Sequence, residues 1–299
     1  MSQEHRGVLY PVRLPTFARL PPPTAVTDFV RWFWIPEWHI APGRVSRQHL
    51  IPFPASNLVA GPDAVELSGP ATRRSHRDLT GTGWAVGALL RPAAVPAFTA
   101  NPADLRDTSE MLELPELRTR VAEAMSRPAE AAERHRLAVD AFASWLAATI
   151  PPPGPEARLA NAMAELVDAD PEVLRVEDVA DRLHISARTV QRLARRYVGL
   201  PPLTMIRRRR LQEAAQQLRA DPGRSLAELA SQLGYADQAH LSNDFHRVLG
   251  LTPSAYRSRD HTATAPGTSG SRTPDRPSLD PDGSPLHPGR DVKDVRVAP

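Results

Sequence analysis

Apolar positions in residues 176–256 recur with a helical period, and they do so twice. Val176, Val179, Ala180 and Leu183 are spaced i, i+3, i+4, i+7, and Leu226, Leu229, Ala230 and Leu233 repeat the spacing fifty residues later. Such spacing places four apolar side chains on one face of a short helix. A tight turn is predicted after each, at His184-Ile185-Ser186 and at Gly234-Tyr235-Ala236. Gly234 can take a left-handed conformation at little cost, and His184 is less comfortable in the same slot. A second helix then starts at a polar cap, Ser186 or Asp237, whose side-chain oxygen can accept from free N–H groups of the first turn. It buries Val190, Leu193, Ala194 and Tyr197 in the first copy and, one residue out of register, Leu241, Phe245 and Val248 in the second. Both copies end on a glycine with a proline just beyond, Gly199-Leu-Pro and Gly250-Leu-Thr-Pro, the order that closes a helix.

Elsewhere the pattern changes period. Residues 1–23 are Pro-rich and aperiodic and read as an extended arm. Short aromatic and β-branched runs follow at 28–35, 48–53, 57–60, 64–67 and 84–90, punctuated by Gly61-Pro62 and Gly69-Pro70, which predicts a mainly antiparallel β domain. After Leu114 the period is helical again, at 115–125 and at 128–150, where Leu137, Phe142, Trp145 and Leu146 form an apolar stripe. That stripe either packs on the β domain or pairs with a second copy of itself. Pro151-Pro-Pro-Gly-Pro155 is a stiff stop, and residues 156–167 resume an amphipathic helix with Leu159, Met163 and Leu166 inward. A bridge helix over 203–219, about 25 Å long, joins the two copies and carries Arg207 to Arg210; one or two of these are expected to meet DNA or pair internally, the others to be solvated.

The fold class expected is therefore α+β and multidomain. An arm (1–23) leads to a mainly-β domain (24–127), then a helix and Pro-rich linker (128–155), and then an all-α domain (156–257) with helix-turn-helix motifs at 176–199 and 226–250. Residues 258–299 are Pro, Gly, Ser, Thr and Asp with almost no large apolar side chain, a composition that predicts disorder.

Charge matters only once it is divided. Residues 1–172 carry 17 Arg against 20 Asp and Glu, residues 173–257 carry 14 Arg against 8, and the tail balances 6 against 6. The positive charge thus sits on the duplicated segment, where a polyanion would bind. The chain has no cysteine, which excludes disulfides, Cys-ligated zinc and a thiol nucleophile. No secretory leader or bilayer-spanning run is visible, so a cytoplasmic protein without a membrane partner is expected. His39, His49 and His76 lack the spaced partners of a metal site, and no metal, cofactor or catalytic residue is assigned.

A helix, a tight turn and a second helix with a polar outer face form the arrangement that places its second helix in the DNA major groove. From about residue 156 to 257 the chain resembles the C-terminal DNA-binding domain of the AraC/XylS family of bacterial transcription regulators. The likeness rests on the duplicated motif, Arg210-Leu211 and Ala214 in the bridge, Gly234-Tyr235, and Gly250-Leu-Thr-Pro-Ser-Ala-Tyr256-Arg257. The N-terminal half is weakly similar to the sensor modules of such regulators, often cupin-like barrels. The resemblance implies a sequence-specific transcription factor whose partner is double-stranded DNA, with RNA polymerase, a small-molecule effector and a second copy of the chain as further candidates. Candidate DNA contacts are Ser186, Arg188, Thr189, Gln191, Arg192, Arg195 and Arg196 in the first head, and Gln238, Ala239, His240, Ser242, Asn243, His246 and Arg247 in the second. Asn243 stands where the family usually carries Arg, and Asp244 beside it would repel phosphate unless it pairs with Arg247. Trp32, Trp34 and Trp38, with Phe33, either fill the β core or line an effector pocket. The competing function is a DNA-tethered enzyme, for which no Gly-x-Ser-x-Gly, phosphate loop or metal motif speaks.

Overall fold

The computed structural model describes residues 16–50, 53–73 and 75–257. Nine strands come first: β1 Thr16–Leu20, β2 Val30–His39, β3 Ser46–Leu50, β4 Asn57–Ala60, β5 Val65–Ser68, β6 Ser75–Leu79, β7 Thr82–Trp84, β8 Val86–Leu90 and β9 Ser109–Leu112. The main sheet runs β1-β2-β8-β4-β5-β9 with β7 also on β2, and β3 pairs β6 as a separate ribbon; every pairing is antiparallel. Strand period puts alternate residues on opposite faces. One face, with Phe33, Ile35, Leu58, Ala60, Val65, Leu67, Val86, Ala88 and Leu90, is buried under two helices, α1 Pro115–Met125 and α2 Ala131–Thr149. Phe33 meets Phe142 of α2 edge to face, with ring centroids 5.5 Å apart. Each of the larger side chains contributes about 1.5–3 kcal/mol by leaving water.

Several expectations change here. The arm assigned to residues 1–23 is not all arm: residues 16–20 are β1, an edge strand in register with residues 33–37 of β2, and residues 1–15 lie outside the described residues. The prolines around β1 hid the strand, because proline cannot serve a central strand but is tolerated at an edge. The run at 84–90 is two strands, β7 and β8, and β6 and β9 were unread. The helix given to the linker at 128–155 belongs to the β domain's core, since Phe142, Trp145 and Leu146 are buried in it and Leu137 packs against it. It is pinned from the side as well: Arg134 and the buried His135 both reach Glu37 of β2, at 3.0 and 2.7 Å. The tail, residues 258–299, lies outside the described residues.

The helical domain follows as α3 Pro155–Ala169, α4 Val176–Leu183, α5 Ala187–Leu193, α6 Pro202–Ala220, α7 Leu226–Gln232 and α8 Gln238–Leu249. It has two cores that share α6. Met205 and Ile206 at its start close a core with α3, α4 and α5, while Leu211, Ala214, Ala215 and Leu218 close another with α7 and α8. Only Arg207 of the bridge arginines is exposed; Arg208, Arg209 and Arg210 are buried, contrary to the expected solvated majority. Their aliphatic stems pack, as those of long cationic side chains do, while Nη1 of Arg208 and Nε of Arg209 and Arg210 are buried without a hydrogen-bond partner among the described residues. Arg209 donates to the carbonyls of Pro171 and Val173 at 3.3 and 2.9 Å, and Arg210 lies 3.9 Å over the Tyr235 ring. Burial lowers the Arg208 guanidinium to about 10 and raises the Tyr235 hydroxyl to about 12, so at neutral pH Arg208 stays charged and Tyr235 neutral.

Candidate nucleic-acid interface

Local chemistry builds the two heads alike. In the first, His184 ends α4 with φ 53° and Ile185 N–H closes on the Ala180 carbonyl at 3.0 Å; in the second, Gly234 has φ 69° and Tyr235 N–H closes on Ala230 at 2.9 Å. Ser186 caps α5 by accepting from Thr189 N–H at 3.1 Å, and Asp237 caps α8 by accepting from His240 N–H at 2.7 Å. Gly199 and Gly250 close the helices in the left-handed region at φ 80° and 65°. The first recognition helix ends in a π-helical turn, Ala194–Val198, where Gly199 N–H reaches back to the Ala194 carbonyl.

The inward side chains are buried as the period requires, and the candidate contacts face outward. Ser186, Arg188, Gln191, Arg192, Arg195 and Arg196 are exposed in the first head and Gln238, Ala239, His240, Asn243, His246 and Arg247 in the second, while Thr189 and Ser242 are half-buried. Several carry second duties. The Ser186 hydroxyl is engaged as a cap and with the Thr189 hydroxyl. His240 stands edge-on to the Tyr235 ring, 5.3 Å between centroids. Asp244 is buried and pairs with Arg247, so the condition under which it does not repel phosphate is met.

Sequence reasoning missed a carboxylate set against the first head's cations. Glu156, in the first turn of α3, accepts from Arg192 Nη1 at 2.8 Å through one carboxylate oxygen and from Arg196 Nη1 at 3.1 Å through the other. The hydrogen bond from Arg192 holds its carboxyl below the usual range. Periodicity shows Glu156 only as a helix start; the contact spans 36 residues and has no local signal.

The β domain also reaches this head. Arg106 donates to the Gly199 carbonyl at 2.8 Å, and a Cβ on Gly199 would sit 2.5 Å from the Pro102 carbonyl carbon. Asn161 of α3 donates to the Asp28 carbonyl at 2.8 Å and accepts from Ala93 N–H at 2.9 Å, while Arg31 pairs with Asp168 and Arg91 with Glu165. A cavity of about 50 Å³ remains between the halves, walled by Arg31, Phe53, Val95, Asn161, Asp168 and Arg209 among others.

The tryptophans are held separately on the sheet face away from the helices. Trp32 lies between the Arg19 and Arg31 guanidiniums, 4.4 and 4.9 Å from its ring, and edge-on to Phe53. Trp34 donates to Asn57 at 3.0 Å and packs on Gly87; Trp38 donates to the Thr80 carbonyl at 3.1 Å and packs on Gly83. Each indole N–H of Trp34 and Trp38 is thus satisfied within the domain. No group of three or more His, Asp or Glu able to hold a metal occurs among the described residues, and the side chain of His49 lies outside that description.

Residues 179–259 match a family described as Helix-turn-helix domain, and residues 18–110 match a domain of unknown function, DUF6597. Over the C-terminal part the chain is 35% identical to the HTH-type transcriptional activator RhaS of Escherichia fergusonii, across 34% of this chain and 36% of that protein. It is 39% identical to a putative AraC-like transcription regulator of Streptomyces lividans, across 27% of each. The C-terminal domain is an AraC-type helix-turn-helix domain. The chain spans about a third of the length of the curated relatives it matches. Among solved structures, ToxT from Vibrio cholerae aligns over 81% of this chain and 95% of its own, at 12% identity and a TM-score of 0.37. Within the described residues no helix is long and apolar enough to cross a membrane.

Proposed function

We propose that the protein is a sequence-specific, DNA-binding transcription regulator that reads its operator unequally with its two heads, under the control of its N-terminal domain. The observation that carries this reading is the pair of equally built helix-turn-helix motifs on one helix, each turning a polar face outward while its apolar face closes a separate core. Arg and Gln in the first head suit bidentate contacts to guanine and adenine edges, and the second head's Gln238, Asn243 and His246 suit shorter reach. Gly199 and Asn161 are the points at which a change in the N-terminal domain would be felt by the first head. A small-molecule effector or a second copy of the chain bound there would act by changing those contacts, the Trp32, Trp34 and Trp38 face being the candidate effector surface, with RNA polymerase the downstream partner.

The test is selection of DNA fragments by the full-length protein, followed by affinity measurements over a salt series. One sequence should be enriched, and log affinity for it should fall linearly with log salt, by about 0.9 for each phosphate neutralised. Salt-independent binding, or no enrichment, contradicts the reading.

A further inference from the structure

Glu156 is a carboxylate standing where a phosphate would be expected: each of its oxygens takes one arginine of the first recognition helix, Arg192 at 2.8 Å and Arg196 at 3.1 Å. A carboxylate that only competed with DNA for those cations would weaken operator and random DNA alike. The geometry points elsewhere. Arg192 uses only Nη1 on Glu156, which leaves Nε and Nη2 without a protein partner among the described residues. Those two N–H groups are one of the two parallel edges with which a guanidinium makes bidentate contacts. The Tyr197 hydroxyl also helps to lower the Glu156 carboxyl, and the Tyr197 ring is buried in the core of the first head. The Arg196 guanidinium lies 5.5 Å over that same ring, so Arg196 is engaged by both Glu156 and Tyr197.

We propose that Glu156 is a specificity-setting positioning residue: it holds Arg192 with its Nε–Nη2 edge presented to a guanine and withholds Arg192 and Arg196 from indiscriminate phosphate contact. The proposal rests on the DNA-reading function argued above and adds to it a supporting carboxylate supplied by α3 rather than by the recognition helix. The consequence is a division of effects. Freeing the arginines adds unspecific phosphate contacts, which strengthens binding to any sequence, and loosens the orientation of the fork, which weakens binding to the right one.

The experiment compares Glu156→Gln with wild type in the full-length protein, on the selected operator, on operators altered at each guanine in turn, and on random duplex DNA. Random-DNA affinity should rise about 2- to 5-fold while operator affinity stays level or falls, the loss of discrimination being concentrated at one guanine. In an Arg192→Ala background the same substitution should no longer alter discrimination at that position. Tyr197→Phe, which keeps the ring and removes only the hydroxyl that acts on Glu156, should move discrimination the same way by a smaller factor, and it serves as the test should Glu156→Gln fail to fold by thermal melting. Equal gains on operator and random DNA, or unchanged discrimination in both variants, overturn the proposal. Wild-type protein that enriches no sequence would instead refute the underlying function.

Discussion

The two heads of this molecule have the same backbone plan and different neighbours. The first is enclosed: Glu156 engages its cations, α3 braces it, and the β domain caps its C-terminal end through Arg106 and Pro102 at Gly199. The second is self-contained. Its core is its own two helices and the latter part of α6, with Tyr235 set against Arg210 and Asp244 against Arg247. Duplication therefore fixes where polar side chains point, and tertiary contact fixes what they are free to do. A head held by a second domain can be regulated by it; the second head can follow through the shared helix and through Leu174, which lies against Gly234.

The largest effect expected from breaking this contrast is at the two closing glycines. Gly199→Ala must place a Cβ at φ 80° and 2.5 Å from the Pro102 carbonyl carbon, so left-handed strain of about 1–2 kcal/mol adds to a steric clash of about 1–3 kcal/mol. Gly250→Ala, at φ 65°, carries the same left-handed strain without Pro102 against it. Chemical denaturation of both variants should therefore rank Gly199→Ala as clearly less stable. Equal losses would mean that the β domain does not press on the first head.

This contrast was only half legible in the sequence. Both motifs could be read because their signals are local: the apolar period, Ser186 and Asp237 as caps, and Gly199 and Gly250 as closures all act within a few residues. The enclosure of the first head was not legible, because Asn161 to Asp28 and Arg106 to Gly199 join positions 133 and 93 residues apart and carry no periodic trace. Charge misled in the bridge, where one or two of Arg207 to Arg210 were expected to meet DNA or pair internally and the others to be solvated, while three of the four are buried. A stem of methylenes is apolar surface that a count of charges does not register. In the β domain, proline at an edge concealed β1, while the run at 28–35 was legible as a strand from its aromatic and β-branched residues.

A middle-sized effect should separate the heads on DNA. Arg192→Ala removes a long cation able to make a bidentate base contact, and the expected loss on the selected operator is about 1–3 kcal/mol with relaxed preference at one base pair. Asn243→Ala removes a shorter, neutral side chain from an exposed position and should cost less. Binding isotherms for both variants decide the order. An equal or larger loss for Asn243→Ala would show that the self-contained head reads as strongly as the enclosed one.

The smallest effect concerns acid. Asp178, in the first turn of α4, accepts from the N–H groups of Leu174 at 2.9 Å and Arg175 at 2.7 Å. Burial alone would raise its carboxyl, but these two hydrogen bonds and the nearby Arg175 outweigh it and hold the group below its ordinary value of 3.8. A carboxylate whose folded value lies below its unfolded one adds stability that is complete above the unfolded value and is lost as pH falls through the folded one. The first head should therefore weaken as pH drops below about 4, and Asp178→Asn, which keeps the shape but not the charge, should flatten that part of the acid profile. At pH 7 the substitution keeps one acceptor oxygen for these N–H groups but removes the favourable charge at the helix start, and should cost about 0.3–1 kcal/mol. Denaturation of wild type and Asp178→Asn across pH 3 to 7 measures both quantities. Parallel curves would place the acid sensitivity of the enclosed head elsewhere, with Glu156, which is also held below its usual range by Arg192, as the next carboxylate to neutralise.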